Sequence, residues 1–372
     1  MAKVRAILID DEVHFRKEIS NLFEENEHID VISTAQSGKI GIQKIAIEHP
    51  DVVLLDLDMP EMSGLQTIQS IREVDAHIPI IIFSERCARN TGQLLDAIAA
   101  GAADHVIKPI RNQWNSEREA FREQLALKIT SLCLSLEEHV SAKQYKISQQ
   151  EKVVPLRSVK KEEKSAGIDI VAIGVSTGGP NALAQIIPHL PANLGVPIVC
   201  VQHMPAGFTK ILAERLNTSS QIRVVEGAEG MPLEPNTMYI APGEYHMQVV
   251  RSGTRYVLNV NQDPPENSCR PAVDPLFRSV AEHFGKSALG LVLTGMGSDG
   301  LLGCKALKQK HGTILVQDKD TSVVWGMPGY VFQHGLAEDA LPLQEIAAEL
   351  IRRVQKAASR NMAEHRDVEG KK

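Results

Sequence analysis

The segment Gly174-Val-Ser-Thr-Gly-Gly-Pro180 places a serine in a glycine-rich turn at the end of an apolar stretch. Pro180 suits the first position of a helix, because its φ is already helical and that position needs no N–H donor. Backbone N–H groups at such a helix start lack an intrahelical acceptor and can bind a negative oxygen. A hydroxyl beside these donors favours acyl transfer, with Ser176 as the nucleophile. The alternative is that the glycines only bind a phosphate, as in dinucleotide-binding folds.

A serine hydroxyl is a weak nucleophile, so acyl transfer also needs an imidazole base and an acid that orients it. His203 follows one apolar strand candidate, and Asp299 follows another in the loop Leu293-Thr-Gly-Met-Gly-Ser-Asp-Gly300. If both strands lie parallel to the strand before Ser176, the three side chains meet at one sheet edge. We therefore predict a Ser176, His203 and Asp299 triad, in a chain order that differs from the well-known hydrolase orders.

Two alternatives concern the carboxylate of this triad. Asp299 also suits the N-cap of a helix that begins near Gly300. Asp318 lies past another strand candidate and is a rival partner for the imidazole, whereas Asp274 is expected to cap the helix that begins near Pro275.

A second set of reactive residues lies in the first 110 residues. Asp10 and Asp11 end one strand candidate, Asp56 ends another, Ser84 ends a third, and Lys108 follows a fourth. Carboxylates that converge on one edge repel each other unless a cation lies among them, and their oxygen atoms suit Mg²⁺. A lysine and a hydroxyl opposite them can hold phosphoryl oxygens. This pattern predicts that Asp56 attacks a phosphoryl donor and becomes an acyl phosphate.

The elements that must position these residues alternate between strands and helices. In the first block, helical patterns such as 38–48 and 93–100 separate five strand candidates, at 5–9, 30–34, 52–55, 80–83 and 105–107. In the second block, strand candidates lie at 170–175, 197–202, 288–293 and 313–316, with an inserted β-hairpin around 251–254. The pattern predicts two α/β sheets: a doubly wound, five-stranded, flavodoxin-like domain, and a Rossmann-like parallel domain that carries a hairpin.

The length and composition set further bounds. A chain of 372 residues is too long for one ordinary core, so we expect two domains. We place the first at 1–125, a helix end and charged linker at 126–168, the second at 169–358, and a polar tail at 359–372. A net charge of −6 argues against nucleic-acid binding. No apolar run suits a membrane span, and five cysteines without metal-ligand spacing favour a reduced, cytoplasmic protein.

The first block resembles the receiver domain of response regulators over roughly residues 3 to 125. The matching motifs are Asp10-Asp-Glu12, Leu55-Asp-Leu-Asp-Met-Pro60, Ser63-Gly64 and Lys108-Pro109. The resemblance implies that Asp56 accepts a phosphoryl group from a histidine kinase, that Asp10 and Asp11 help to bind Mg²⁺, and that Ser84 and Lys108 contact the phosphate. His105 departs from the pattern, since receivers generally have an aromatic switch residue there, and Glu85 replaces a commonly small residue.

Nearly the whole chain resembles the chemotaxis protein-glutamate methylesterases, the CheB family. The motifs of the second block are Ile173-Gly-Val-Ser-Thr-Gly-Gly179, Gln202-His-Met-Pro-Ala-Gly-Phe208, Tyr239-Ile-Ala-Pro-Gly243, Arg270-Pro-Ala-Val-Asp-Pro-Leu-Phe277, Leu293–Gly300 and Gly326-Met-Pro328. The resemblance implies the triad Ser176, His203 and Asp299. It also implies hydrolysis of glutamate γ-methyl esters on chemoreceptors, often with glutamine deamidation, and no cofactor for the esterase.

For this reaction we expect the oxyanion to be bound by the Thr177–Gly178 turn and by Met296. We also expect the unphosphorylated receiver to cover the mouth that carries Ser176, and phosphorylation of Asp56 to loosen that cover. The alternative function is a phosphorylation-switched binding protein whose esterase site is vestigial. A nucleotide-binding Rossmann domain is a third reading, but Ser176 stands where the glycine fingerprint of that fold would continue.

Overall fold

A computed structural model of the chain describes residues 3–84, 91–148 and 167–355. The chain divides into two compact units, Met1–His139 and Val140–Lys372. The finer boundaries predicted from the sequence, at 125, 168 and 358, stay predictions.

Five parallel strands form the sheet of the first unit. The elements in chain order are β1 Val4–Ile9, α1 Val13–Phe23, β2 Ile29–Ala35, α2 Gly38–Glu48, β3 Val52–Asp56, α3 Gly64–Val74, β4 Ile80–Ser84, α4 Thr91–Ala99, β5 Asp104–Ile107 and α5 Trp114–Ser148. The strand order is β2-β1-β3-β4-β5. The order reverses at β1, so the carboxyl ends of β1 and β3 flank the crevice where such sheets bind ligands.

The second unit contains a larger parallel sheet and a separate hairpin. Its elements are β6 Ile170–Val175, α6 Gly179–Ile186, β7 Ile198–Gln202, α7 Phe208–Ser219, β8 Arg223–Glu226, β9 Thr237–Ile240, β10 His246–Ser252, β11 Arg255–Asn261, α8 Val273–Phe284, β12 Ala288–Val292, α9 Leu301–Gln309, β13 Thr313–Gln317, α10 Met327–Gln333 and β14 Asp339–Leu341. A further helix covers residues 343–355.

The seven-stranded sheet has the order β14-β13-β12-β6-β7-β9-β8, and every pairing in it is parallel. Strands β6, β7 and β12 are buried along their whole lengths, because helices cover both faces of such a sheet. The order reverses at β6, which has β7 on one side and β12 on the other. The carboxyl end of β6 is therefore the centre of this unit's switch point.

The hairpin prediction is confirmed: β10 and β11 pair antiparallel as a two-stranded sheet, joined through Gly253 and Thr254. The predicted α/β class is also confirmed. Helix α5 runs to Ser148, into the segment 126–168 that was predicted to contain a helix end and a charged linker, and residues 149–166 lie outside the described residues. In the described part of the chain, no helix has both the length and the apolar character needed to cross a membrane.

Candidate active site

Three predicted residues of the second unit follow adjacent strands at the switch point. Ser176 follows β6, His203 follows β7, and Asp299 lies in the loop after β12. The register pairs Val175 with Gln202, and the His203 N–H donates to the Val175 carbonyl at 3.1 Å. Ser176 and His203 are thus the next pair beyond the last rung of the β6–β7 ladder, at the spacing of neighbouring strands.

The Asp299 carboxylate is buried and hydrogen-bonded to the imidazole. Its Oδ2 lies 2.8 Å from Nε2 of His203 and accepts the Val273 N–H at 2.6 Å, and the residue is 2% exposed. Its Oδ1 accepts three more N–H groups, from the Asp274 backbone at 3.1 Å, the Gly300 backbone at 2.9 Å and the Asn267 amide at 2.9 Å. Val273 and Asp274 begin α8, so the helix start supplies donors that favour the charged form.

Asp274 and Asp299 make reciprocal contacts that link α8 with α9. Asp299, which precedes α9, accepts from the start of α8, whereas Asp274, in the first turn of α8, accepts the Gly303 N–H of α9 at 2.7 Å. The expectation that Asp274 caps its own helix is therefore wrong, because its carboxylate turns to the neighbouring helix. The carboxylate of Asp318 accepts from Thr321 within its own turn, at 3.0 Å from the backbone and 2.6 Å from the hydroxyl. Of the two rival acids, Asp299 is the one bonded to the imidazole.

The electrostatics of the pair favour a charged imidazolium beside a carboxylate. Burial is the largest influence on the pKa of His203 and lowers it, but the hydrogen bond to Asp299, the charge of Asp299 and the adjacent Cys269 together hold the pKa above its ordinary value. Burial is also the largest influence on the pKa of Asp299 and raises it, but the hydrogen bond and charge of His203, together with the Val273 and Asp274 backbone donors, hold the pKa below its ordinary value. Opposite charges in contact shift both pKa values in these directions.

The serine turn is fixed by its neighbours on both sides. The Ser176 N–H donates to the Thr294 carbonyl at 3.0 Å, and the Gln202 amide donates to the Ser176 carbonyl at 3.0 Å. Within the described residues, the Ser176 hydroxyl makes no hydrogen bond to His203. Catalytic hydrogen bonds are often open without substrate and close in the complex, and a χ1 rotation moves the hydroxyl while the backbone stays in place.

Candidate oxyanion donors lie beside this turn. The backbone N–H groups of Gly178 and Met296 have no acceptor among the residues that the structure describes. Gly178 has a φ of +78° and is the N-cap of α6, and Thr177 is buried beside it. The loop of Met296 contacts the turn directly, since a Cβ on Gly295 would lie 2.8 Å from Cβ of Ser176. The predicted oxyanion role of the Thr177–Gly178 turn and Met296 stays a prediction.

The first unit gathers its predicted residues at its own switch point. The Lys108 ammonium lies 2.7 Å from Oδ2 of Asp10 and 3.0 Å from Oδ1 of Asp56. Oxygen atoms of Asp10, Asp11 and Asp56 lie within 4.8 Å of one another. Burial raises the pKa of Asp56 to about 6, although the Lys108 charge opposes it. The cluster therefore concentrates negative charge, part of which the Lys108 ammonium offsets.

The same edge holds the hydroxyl of Ser84. This hydroxyl lies at the end of β4, is buried and has no hydrogen-bond partner among the residues that the structure describes. A buried donor without an acceptor is costly, so the position suits a ligand oxygen. Asp11 is exposed, which leaves one side of the acidic cluster open to solvent. Glu85, which departs from the receiver pattern next to Ser84, lies outside the described residues.

His105, at the predicted switch position, is buried in β5. Burial lowers its pKa to about 4, so the ring is neutral near pH 7. Its neighbour Asp104 forms an ion pair with Lys128 of α5 at 2.6 Å. A neutral imidazole thus occupies the place where receivers generally have an aromatic ring.

Sequence reasoning missed two residues of the esterase site. Asn267 bonds to Asp299 from a loop, and Gln202 ties the serine turn to β7. Gln202 begins the motif Gln202–Phe208 next to His203, so the sequence marks it as a polar residue at the end of an apolar strand. For Asn267 the signal was weak, because no strand end or glycine pattern marks its loop.

Comparisons with known proteins agree with this geometry. A family model described as CheB methylesterase matches residues 171–350, and one described as response regulator receiver domain matches residues 6–114. Two relatives are named protein-glutamate methylesterase/protein-glutamine glutaminase. The one from Trichodesmium erythraeum (strain IMS101) is 44% identical over 359 residues, which cover 95% of this chain and 100% of the relative. The one from Nocardioides sp. (strain ATCC BAA-499 / JS614) is 40% identical over 361 residues, covering 95% and 96%.

Among solved structures, the Thermotoga maritima CheB methylesterase catalytic domain is 42% identical, with a TM-score of 0.49, and the match covers 50% of this chain and 99% of that chain. The relatives match along almost the full chain, through both the receiver and the esterase segments. The chain therefore belongs to the CheB family of protein-glutamate methylesterases/protein-glutamine glutaminases, as its sequence motifs predict.

Proposed function

We propose that this chain hydrolyses γ-methyl esters of glutamates on chemoreceptors and deamidates receptor glutamines, with Ser176, His203 and Asp299 as its catalytic groups. The observation that carries the proposal is the 2.8 Å hydrogen bond between His203 and Asp299 at the sheet edge where Ser176 follows the adjacent strand. The names of the relatives supply the substrate class. The four cysteines of the described residues are free thiols, which suits the cytoplasm.

In the proposed reaction His203 is first a base and then an acid. Its Nε2 is engaged by Asp299, so Nδ1 is the nitrogen that takes the Ser176 proton. The serine oxygen attacks the ester carbonyl carbon, and the carbonyl oxygen gains the negative charge. Donors from the Thr177–Gly178 turn and Met296 bind that oxyanion. Nδ1 then gives its proton to the leaving methanol.

Water completes the cycle by the same route. His203 takes a proton from water, the resulting hydroxide attacks the acyl-enzyme carbonyl, and Ser176 leaves with that proton. A glutamine side chain enters the same tetrahedral path, with ammonia as the leaving group in place of methanol. Deamidation thus needs no group beyond those of the esterase, only protonation of a poorer leaving group.

The receiver is proposed to accept a phosphoryl group on Asp56 from a histidine kinase. The donor set fits Mg²⁺, because oxygen atoms of Asp10, Asp11 and Asp56 converge, and the Ser84 hydroxyl beside them has no partner within the described part of the chain. These three acids would hold the ion, which when bound offsets the negative charge of the phosphate. The Asp56 carboxylate attacks phosphorus and the bond from phosphorus to the kinase's histidine nitrogen breaks, so the imidazole leaves while Lys108 and Ser84 contact the phosphoryl oxygens. Phosphorylation then controls esterase activity, and so chemotactic adaptation.

The test is methanol release from a methylated chemoreceptor by the full chain. We expect Ser176→Ala and His203→Ala to lose nearly all activity, by about 10⁶-fold for an isolated nucleophile or base loss. Asp299→Ala should be severe but leave some turnover, since the acid mainly orients and stabilises the ring. Ser252→Ala, on the exposed end of the hairpin, is the matched serine control. Equal release by wild type and Ser176→Ala would leave the binding-protein alternative.

A further inference from the structure

A loop between the hairpin and α8, residues 262–272, is fastened at both of its ends. The Arg270 guanidinium donates to the Gln262 and Asp263 carbonyls, each at 3.1 Å. The buried His246 ring joins the same ends, since its Nε2 lies 3.1 Å from the Pro264 carbonyl oxygen and its Nδ1 accepts the Ala272 N–H at 3.2 Å. The side chains of Arg270 and His246 therefore tie the two ends of the loop to each other.

The middle of this loop is a tight turn. The Glu266 and Cys269 backbones exchange hydrogen bonds of 3.2 and 2.9 Å, and the residues between them have positive φ, at +52° for Asn267 and +59° for Ser268. Arg278 of α8 holds the Glu266 carboxylate, with Nη1 at 2.9 Å from Oε2. Asparagine is one of the few residues with a side chain that tolerates the left-handed region. The turn therefore sets the direction of the Asn267 side chain.

That side chain bridges two buried carboxylates. The Asn267 amide nitrogen lies 2.9 Å from Oδ1 of Asp299 and 3.0 Å from Oδ2 of Asp274, which are 2% and 1% exposed. An amide nitrogen has two protons, so one can go to each carboxylate. Burial raises the pKa of Asp274, and the nearby charge of Asp299 acts in the same direction, which is the repulsion that the two bonds offset. Asn267 itself is exposed and covers the pair from the solvent side.

We propose that Asn267 is a positioning residue of the esterase, which holds the Asp299 carboxylate in the orientation that keeps Oδ2 on His203. Its amide occupies Oδ1, so Oδ2 stays with the imidazole and the Val273 N–H. The proposal rests on the proposed function and adds a residue to that site. The ionisable groups that face the His203–Asp299 pair are Cys269, which lies beside His203, and Asp274 and Arg278, which belong to α8.

The first test removes the amide and keeps the turn. Glycine adopts positive φ without strain, so Asn267→Gly loses the two hydrogen bonds alone, and Ser268→Gly is its matched control on the same turn. The Ser268 side chain makes no hydrogen bond among the described residues. In the full chain we expect Asn267→Gly to lower kcat for methanol release about 10-fold with KM unchanged, because the lost bond is to a charged group that positions the base. Ser268→Gly should match wild type.

The second test adds a charge instead. Asn267→Asp places a third carboxylate beside Asp299, which stabilises the imidazolium, so the pKa of His203 should rise and the acid limb of kcat/KM should move to higher pH. Ser268→Asp adds the same charge one residue away and should leave both unchanged. The pKa is read from the His203 ring by NMR titration of the resting full chain, and thermal unfolding confirms that each variant folds.

Equal His203 titrations in the two aspartate variants, or equal kcat losses in the two glycine variants, would overturn the role of Asn267. If the proposed function itself is wrong, wild type releases no methanol, whereas the NMR titration still reports whether Asn267 acts on His203.

Discussion

At the scale of the single residue, Asp299 is a buried charge that its donors keep ionised. Two backbone N–H groups from the start of α8, one from Gly300, the Asn267 amide and the His203 ring all point at one carboxylate. A buried carboxylate without such partners would take up a proton. Because it stays negative, it fixes which imidazole nitrogen is free to act as the base.

The first prediction concerns the pH dependence of the esterase. A general base works only when it is neutral, and the pKa of His203 is raised by the Asp299 hydrogen bond. We expect kcat/KM to rise with pH, with a half-point above the value of about 6.5 of a free histidine. Asp299→Asn removes the charge, so the half-point should fall, while the maximal rate drops by about 10⁴-fold.

The measurement is kcat/KM for methyl ester hydrolysis across about pH 5 to 10, a range that brackets the expected half-points. Asp318→Asn, at the rival acid, is the control and should keep the wild-type profile. If Asp299→Asn kept the wild-type half-point, the carboxylate would not be what raises the pKa of His203.

The second prediction concerns Asp56, a buried carboxylate with a pKa raised to about 6. The folded receiver binds the carboxyl proton of Asp56 more tightly than the unfolded chain does, so Asp56 favours folding at low pH. That contribution declines as the pH rises through the window from 3.8 to about 6. Asp56→Asn removes the charge, so near pH 7 it should stabilise the receiver by on the order of 2–3 kcal/mol.

The check is chemical unfolding of the receiver transition at neutral and acidic pH, without added divalent cations. The added stability of Asp56→Asn over wild type should shrink as the pH falls below the window from 3.8 to about 6. Asp58→Asn removes the same charge from an exposed position and should change little. A variant at Asp56 that is less stable than wild type near pH 7 would contradict the prediction.

At this scale the sequence predicted residues whose position follows from strand ends, and it missed those whose position follows from a loop. Ser176, His203 and Asp56 each directly follow or end a buried strand, so parallel pairing alone brings them to an edge. Asn267 reaches Asp299 through the loop 262–272, which Arg270 closes from within and His246 closes from a distant strand, and no local sequence pattern encodes these contacts.

At the scale of elements, the loops after β6 and β12 together position Ser176, the proposed nucleophile. The Thr294 carbonyl accepts the Ser176 N–H, and the Thr294 hydroxyl donates to the Thr177 carbonyl at 2.9 Å. A Cβ on Gly295 would meet Ser176 at 2.8 Å and the Met327 sulfur at 2.5 Å. The two loops are therefore in contact without room for an added methyl group.

The third prediction follows from that contact. Gly295→Ala should push the β12 loop away from the serine turn and lower kcat by about 10²-fold, the effect expected for a shift of about 1 Å in reacting groups. Gly297→Asn is the control on the same loop, because Gly297 has a φ of +81° that asparagine tolerates and nothing within 4 Å of an added Cβ. Methanol release and unfolding are measured for both, and equal losses would show that the contact does not position Ser176.

Elements were predictable where they were long and buried. Strand β6 and both hairpin strands follow the sequence pattern, because apolar runs and a two-residue turn mark them. Strands β8, β9 and β14 were missed. They have four, four and three residues, which leaves little room for an alternating apolar pattern. Their strand conformation depends on pairing with neighbouring strands.

At the scale of the whole molecule, the two units place their candidate sites at equivalent positions on their sheets but use different residues. Each uses the carboxyl edge of a parallel sheet where the strand order reverses, at β1 in the first unit and at β6 in the second. Acids and a lysine at one edge suit phosphoryl transfer, whereas a hydroxyl, an imidazole and an acid at the other suit acyl transfer. A single chain thus combines a receiver domain with a methylesterase domain.

The last prediction couples the two chemistries in the full chain. An acyl phosphate donor with Mg²⁺ should increase methanol release by about 5- to 150-fold, the range of ordinary coupling between sites. Asp56→Asn should keep the basal rate and lose the response, because it removes the attacking oxygen, and chelation of divalent cations should abolish the response of the wild type. Asp58→Asn, with the same charge change, should respond normally. A response in Asp56→Asn equal to that of wild type would place the activating phosphate elsewhere and separate the receiver from the control of Ser176.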